Sequence, residues 1–152
     1  MIIDPSPGTL IRTVSKELRT TLAPAVVDPG LKSLVLMMSA VLETAAVRAD
    51  HETTWMVEEI HEIEQVARDL ATSCAPESPL HASLDAYEVG IPSAVGAAAE
   101  RAAYAQAGTL LSAAIDAAQN DSDHFARLER LVQERVEREA AVVGGVALVG
   151  RS

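Results

Sequence analysis

The run Glu58-Glu59-Ile60-His61-Glu62-Ile63-Glu64 gathers metal-ligand residue types more densely than any other part of the chain. Carboxylate oxygens and an imidazole nitrogen are donors that hold divalent cations, so the run could serve a metal or cation site. The same residues also satisfy the solvated face of an amphipathic helix, whose acidic side would simply face water. At roughly 100° per residue, with Met56, Ile60, Ile63 and Ala67 taken as the inside direction, Glu52 and Glu59 fall close to the apolar stripe. Glu62 flanks that stripe, while Glu58 and His61 lie toward the opposite side. The same construction places Glu100 beside Tyr104, Ala107 and Leu111, and Glu139 between Val136 and Val143. Glu52, Glu59, Glu62, Glu100 and Glu139 are therefore the candidate ligand or metal carboxylates, with Glu58 and His61 as secondary metal candidates.

Turn chemistry divides the chain into the helices that must position these groups. The first is expected from about Thr9 to Thr21, with Leu10, Val14, Leu18 and Leu22 as its apolar side. Asp28-Pro29-Gly30 supplies a cap with proline at the first helical position. From there Leu31, Leu34, Met38, Val41, Ala45, Trp55, Met56, Ile60, Ile63, Ala67 and Leu70 keep helical spacing, which favours one long second helix over a fresh start at Asp50-His51-Glu52-Thr53. Ala75 to Pro92 reads as a proline-rich connection with a short turn at Leu84 to Val89. An alanine-dominated third helix is expected from Ser93 to about Ala118, with Gly96 and Gly108 inside it for close packing. Asn120-Asp121-Ser122-Asp123 caps a fourth helix carrying Phe125, Leu128, Val132, Val136 and Val143. The expected fold is all-α, a bundle of four main helices forming a single domain over residues 1–152.

Composition excludes several function classes. The chain is 49% hydrophobic but 3% aromatic, so its core must come from aliphatic side chains on closely approaching helices. A formal charge of −10 with scattered basic residues argues against nucleic acid, whose phosphates demand clustered Lys and Arg. Cys74 stands alone, which suits packing near a helix end and a reducing cytoplasm. The N-terminus lacks the pattern of a signal peptide, and the nearest approach to a membrane span, Ala140 to Gly150, is too short. No phosphate loop, dinucleotide fingerprint or nucleophile elbow is present. His51, His81 and His124 lack ligand-spaced partners and read as surface or capping groups. No cofactor is expected, magnesium being the alternative. The uncharged segment Ala140 to Val149 reads as a self-association surface, so a homo-oligomer is expected, with no membrane.

Two family resemblances, and one shorter likeness in spacing, add to this reading. Glu58-Glu59-x-x-Glu62 resembles the first half of the signature of MazG-type all-α nucleotide pyrophosphohydrolases, which implies magnesium held by carboxylates from two helices and a triphosphate substrate. The second half of that signature, Glu-x-x-Asp, finds only the reversed Asp85-Ala86-Tyr87-Glu88. Glu58 and His61 also have the Glu-x-x-His spacing of ferritin-like di-iron bundles, in one copy where two are needed. The apolar run Leu31 to Leu42, Arg48-Ala49-Asp50-His51-Glu52 and Glu58-Glu59 together resemble uncharacterised all-helical actinobacterial proteins that accompany aminoglycoside-phosphotransferase-like kinases and acyl-CoA dehydrogenases. That resemblance implies an accessory or protein-binding role. The expected function is a non-catalytic accessory or interaction module, with a magnesium-dependent pyrophosphohydrolase as the alternative.

Overall fold

The computed structural model describes residues 5–91 and 96–143, of which 89% are helical and none belongs to a strand. The described chain is all-α. Among the described residues five main helices form where four were expected: α1 (Pro7–Glu17), α2 (Pro29–Ala71), α3 (Pro79–Gly90), α4 (Ala97–Ala117) and α5 (Ser122–Val143), with a single short turn of helix at Ala23–Ala25. The extra helix, α3, occupies the connection whose prolines were expected to prevent regular structure. Proline opens this helix instead of breaking it, because Pro79 sits in the first turn, where an amide hydrogen would have no intrahelical acceptor. α2 runs unbroken through Asp50-His51-Glu52-Thr53. Contacts gather the chain into two compact units, residues 1–52 with 136–152, and residues 53–135.

The second unit holds the main hydrophobic core. α2 contributes Ile63, Val66, Ala67, Leu70 and Ala71, α3 contributes Leu80, Leu84 and Tyr87, and α5 contributes Leu128 and Leu131. α4 supplies Ala107, Leu110, Leu111 and Ala114, with Ala118 just beyond its end. Alanine at three of those positions lets backbones approach closely, as the aromatic-poor composition requires. α3 comes close to α4 at Gly90, where a Cβ would stand 2.6 Å from the Gln106 side-chain oxygen, the mobile end of a side chain that would have to shift to admit it. Gly96 does not lie inside a helix as expected; it precedes α4 at φ 130°, a conformation that L side chains rarely adopt. Gly108 is inside α4, but open space surrounds its Cβ position, so close packing does not account for it. On α5 the expected apolar line is also displaced, since Phe125, Val132 and Val136 are exposed and the inward positions are Leu128 and Leu131. Cys74 packs against the core just past the end of α2.

In the first unit, α1 and the N-terminal part of α2 pack antiparallel through small side chains. Ser15 Oγ and Ser39 Oγ lie 2.8 Å apart, and each hydroxyl is also within reach of the other residue's backbone carbonyl, at 3.1 and 3.2 Å, so one serine can donate to its partner's hydroxyl while the other donates to a carbonyl. Gly8, Ser15 and Ala23 are buried on one side, Val35, Ser39 and Ala46 on the other. The leucines expected to face inward do not: Leu10, Val14 and Leu22 are exposed, as are Leu31, Leu34, Met38 and Val41. A hydroxyl pair brings the two backbones nearer than leucines would permit, so the bulky side chains are turned out. After Glu17 the helix passes through a π turn, Leu18–Leu22, in which the Ala23 amide donates to the Leu18 carbonyl. The wider turn precedes Pro24, whose ring would crowd a regular α-turn.

Among the described residues, one helix, α2, is long and apolar enough by length and composition to cross a membrane, and 17% of its 18-residue apolar window is buried. Most of the segment Ala140 to Val149, expected to mediate self-association, lies outside the described residues.

Burial sets the energetic weight of each α2 residue. Ile63→Ala is expected to cost about 2–5 kcal/mol in a denaturant titration, because it empties a fully buried site. His61→Ala, two residues away and exposed, is expected to cost less than about 0.5 kcal/mol.

Candidate functional site

Of the carboxylates singled out from the sequence, Glu59 is the one that α2 buries, at 5% exposure. An ionised side chain at that depth is costly unless it is paired and hydrogen-bonded. α4 and α5 supply the partners. Tyr104 donates its hydroxyl to Glu59 Oε2 at 2.9 Å, and Arg135 Nε lies 2.7 Å from Glu59 Oε1. The Arg135 Nε–H is directed at the Tyr104 oxygen, 3.0 Å away, so Oε1 receives the positive charge without an aligned hydrogen bond. The guanidinium carbon also stands 5.0 Å from the centre of the Tyr104 ring, within cation–π range. Burial, followed by the hydrogen bond to Glu59, pushes the Tyr104 hydroxyl above its ordinary pKa, against the opposing pull of Arg135. The tyrosine therefore keeps its proton and acts as a permanent donor.

A second polar group forms around Tyr87 of α3. Burial pushes its hydroxyl up to about 12, and the charge and hydrogen bond of Glu64 on α2 add to the shift. Arg68 spans Glu64 at 3.6 Å and Glu88 at 3.2 Å, tying α2 to α3. Asp69 and Arg127 tie α2 to α5 at 2.8 Å. These last pairs are largely exposed and contribute little stability individually.

The remaining candidates do not join Glu59. Glu62 is exposed and lines a polar cleft of about 200 Å³ with Gln65, Arg127, Arg130, Leu131 and Glu134. Glu58, His61 and Glu139 are exposed, and Glu52 and Glu100 are half-buried. His61 hydrogen-bonds Gln65 at 2.9 Å, one turn along the same helix. Among the described residues, no three His, Cys, Asp or Glu side chains gather into a group that could hold a metal ion. The carboxylate set that magnesium would need is therefore not assembled there, and Glu59 already faces Arg135. Asp85 is exposed and Glu88 engages Arg68, so the reversed acidic pair is not assembled with Glu58 and Glu62.

Three of the remaining polar positions have structural roles. Asp50, within the Arg-x-Asp-x-Glu segment, meets Arg12 at 2.6 Å and accepts from Ser6 at 3.2 Å, which places a carboxylate at the N-terminus of α1. The Arg12 hydrogen bond is the main reason that its carboxyl sits below the ordinary range. Asp121 caps α5 by accepting from the His124 amide at 3.1 Å, and that bond lowers its pKa first. His81 lies 3.0 Å from the Ser78 hydroxyl at the start of α3. His81 and His124 thus stand at helix starts, as expected of capping groups.

Sequence reasoning singled out Glu59 but missed Arg135. Arg135 sits among exposed charges on α5, and its inward phase could have been read from Leu128 and Leu131 had Phe125 not been taken as core.

Arg135→Ala is expected to cost about 3–5 kcal/mol, because it strands a buried carboxylate. In a double-mutant cycle, Glu59→Leu with Arg135→Leu should cost less than the two single changes added together. The Tyr87 hydroxyl titrates near 10 in the unfolded chain and near 12 in the folded one, so it stabilises the fold below pH 10 and that contribution disappears as the pH rises to 12. Denaturant midpoints should therefore fall more steeply between pH 10 and 12 for the wild type than for Tyr87→Phe.

Comparison with known proteins yields no kin: no family model matches the chain, and no curated protein or solved structure does.

Proposed function

We propose that this chain is a non-catalytic accessory module, a helical bundle that binds a protein partner and self-associates in the cytoplasm. The observation that carries this reading is the apolar surface left open by the first unit. Leu10 and Val14 on α1, and Leu31, Leu34, Leu36, Met37, Met38 and Val41 on α2, are all exposed large hydrophobics. Soluble chains rarely leave such a run uncovered unless it docks onto something. The resemblance to helical proteins that accompany small-molecule kinases and acyl-CoA dehydrogenases agrees with an accessory role.

The chemistry of the second unit agrees as well. Its buried carboxylate is occupied by Arg135 and Tyr104, an arrangement that fixes three helices in register. A cavity of about 340 Å³ lined by Ala82, Ser83, Ala86, Tyr87, Gln106, Thr109 and Leu110 has no basic side chain, and the arginines of this unit that could meet a triphosphate, Arg127 and Arg130, line the separate cleft beside Glu62 that the following test addresses.

Thermal unfolding with millimolar magnesium and a nucleoside triphosphate tests the reading, because a ligand that binds only the folded state raises its stability. The midpoint is expected to stay unchanged. A rise of several degrees that requires both magnesium and nucleotide, and that Glu62→Gln abolishes, would replace the accessory reading with the phosphohydrolase one.

A further inference from the structure

We infer that the open face of the α1–α2 hairpin is covered by a second copy of this chain, the two hairpins meeting about a two-fold axis. This inference rests on the interaction reading above and names its partner. Two apolar stripes on α2 matter here, beside the exposed Leu36 and Met37. Val35, Ser39 and Ala46 form the one that α1 covers. Leu31, Leu34, Met38 and Val41 form the other, at successive spacings of three, four and three, and are 57%, 47%, 51% and 58% exposed. That spacing is the seam by which one helix packs against another in coiled coils. It runs on to Ala45 and stops where Arg48 takes the next seam position, exposed to solvent.

α1 extends the same face. Ser6 lies beside Asp50 and Ser15 beside Ser39, so the two helices run antiparallel. At roughly 100° per residue, counted from the Ser15 and Ser39 contact, Leu10 and Val14 of α1 emerge on the same side of the hairpin as Leu34 and Met38 of α2. Leu10, Val14, Leu31, Leu34, Met38 and Val41 together expose on the order of 550 Å², about two-thirds of the roughly 800 Å² that each partner gives to a standard protein interface.

The face is also free of charge. Arg12 is taken up by Asp50 and Arg19 approaches Glu43 at 3.9 Å, both across the α1–α2 contact rather than on the open side. An uncharged face gives a foreign partner no sign to complement, and it lets two like faces meet without repulsion, which two-fold pairing requires. A lipid surface is the competing occupant, because α2 is by length and composition apolar enough to cross a membrane, and the experiment separates the two.

Size-exclusion chromatography with light scattering on the full chain at tens of micromolar tests the inference. The wild type is expected to have twice the 16.0 kDa mass of one chain. Leu34→Glu combined with Met38→Glu should raise the dissociation constant at least a hundredfold while far-ultraviolet circular dichroism stays helical. The milder Leu34→Gln should raise it measurably, which keeps the test valid if the double change unfolds the hairpin. Val89→Glu, on an exposed position of α3, should leave the dimer intact. A monomeric wild type would overturn the inference, as would a dimer that survives the seam changes or one lost only on deleting residues 142–152. Monomers that bind phosphatidylcholine–phosphatidylglycerol vesicles through Leu34 and Met38 would overturn it in favour of lipid. A monomeric wild type with no magnesium–nucleotide shift would remove the second copy as partner and leave the accessory reading in place.

Discussion

The pairing of Glu59 with Arg135 constrains the second unit more tightly than any other contact in it. A carboxylate held at 5% exposure forces α5 to place one guanidinium, and α4 one hydroxyl, within 3.0 Å of a fixed point on α2. Aliphatic contacts are non-directional, so by themselves they specify the register of two helices less sharply than a polar pair does. A buried charge does not allow that freedom, because a slip leaves it unpaired. The alanines of α4 make the close approach feasible and the ion pair selects one register among the close approaches.

The first unit solves the same problem without charge in its interior. Two buried serines satisfy each other and each other's backbone, so the contact is polar, neutral and short. Its consequence is geometric, since small groups on the inside oblige the large ones to face outward. Burial of leucine is the usual guide to a helix's inner face, and here that guide points the wrong way.

That inversion explains what could and could not be read from the sequence. Helix content, the start of α2 at Pro29, its unbroken run to Ala71 and the cap at Asp121 followed from local chemistry that acts within a few residues. The inward phase of Met56, Ile63, Ala67 and Leu70 followed from periodicity, and with it the burial of Glu59. Pro79 was read as a breaker because proline at a helix start and proline in a loop have the same spelling, and only packing against α4 decides between them. The inner face of α1 was misread because Gly8, Ser15 and Ala23 carry no hydrophobic signal of their own. Asp50 with Arg12, and Glu59 with Arg135, join residues far apart in sequence, and no local pattern announces such a pair.

The π turn at Leu18–Leu22 has a consequence for how this chain can vary. Gly8 and Ser15 are seven residues apart, close to two α-helical turns, whereas Ser15 and Ala23 are eight apart and would drift off the shared face in a regular helix. One residue taken up in the wide turn cancels that drift, and all three small residues are buried. The helix thus carries an inserted residue that its packing face does not register. Loss of a single residue within 18–22 would turn the wide turn into a regular α-turn and leave a seven-residue step from Ser15 to the next small residue, the same step that separates Gly8 from Ser15.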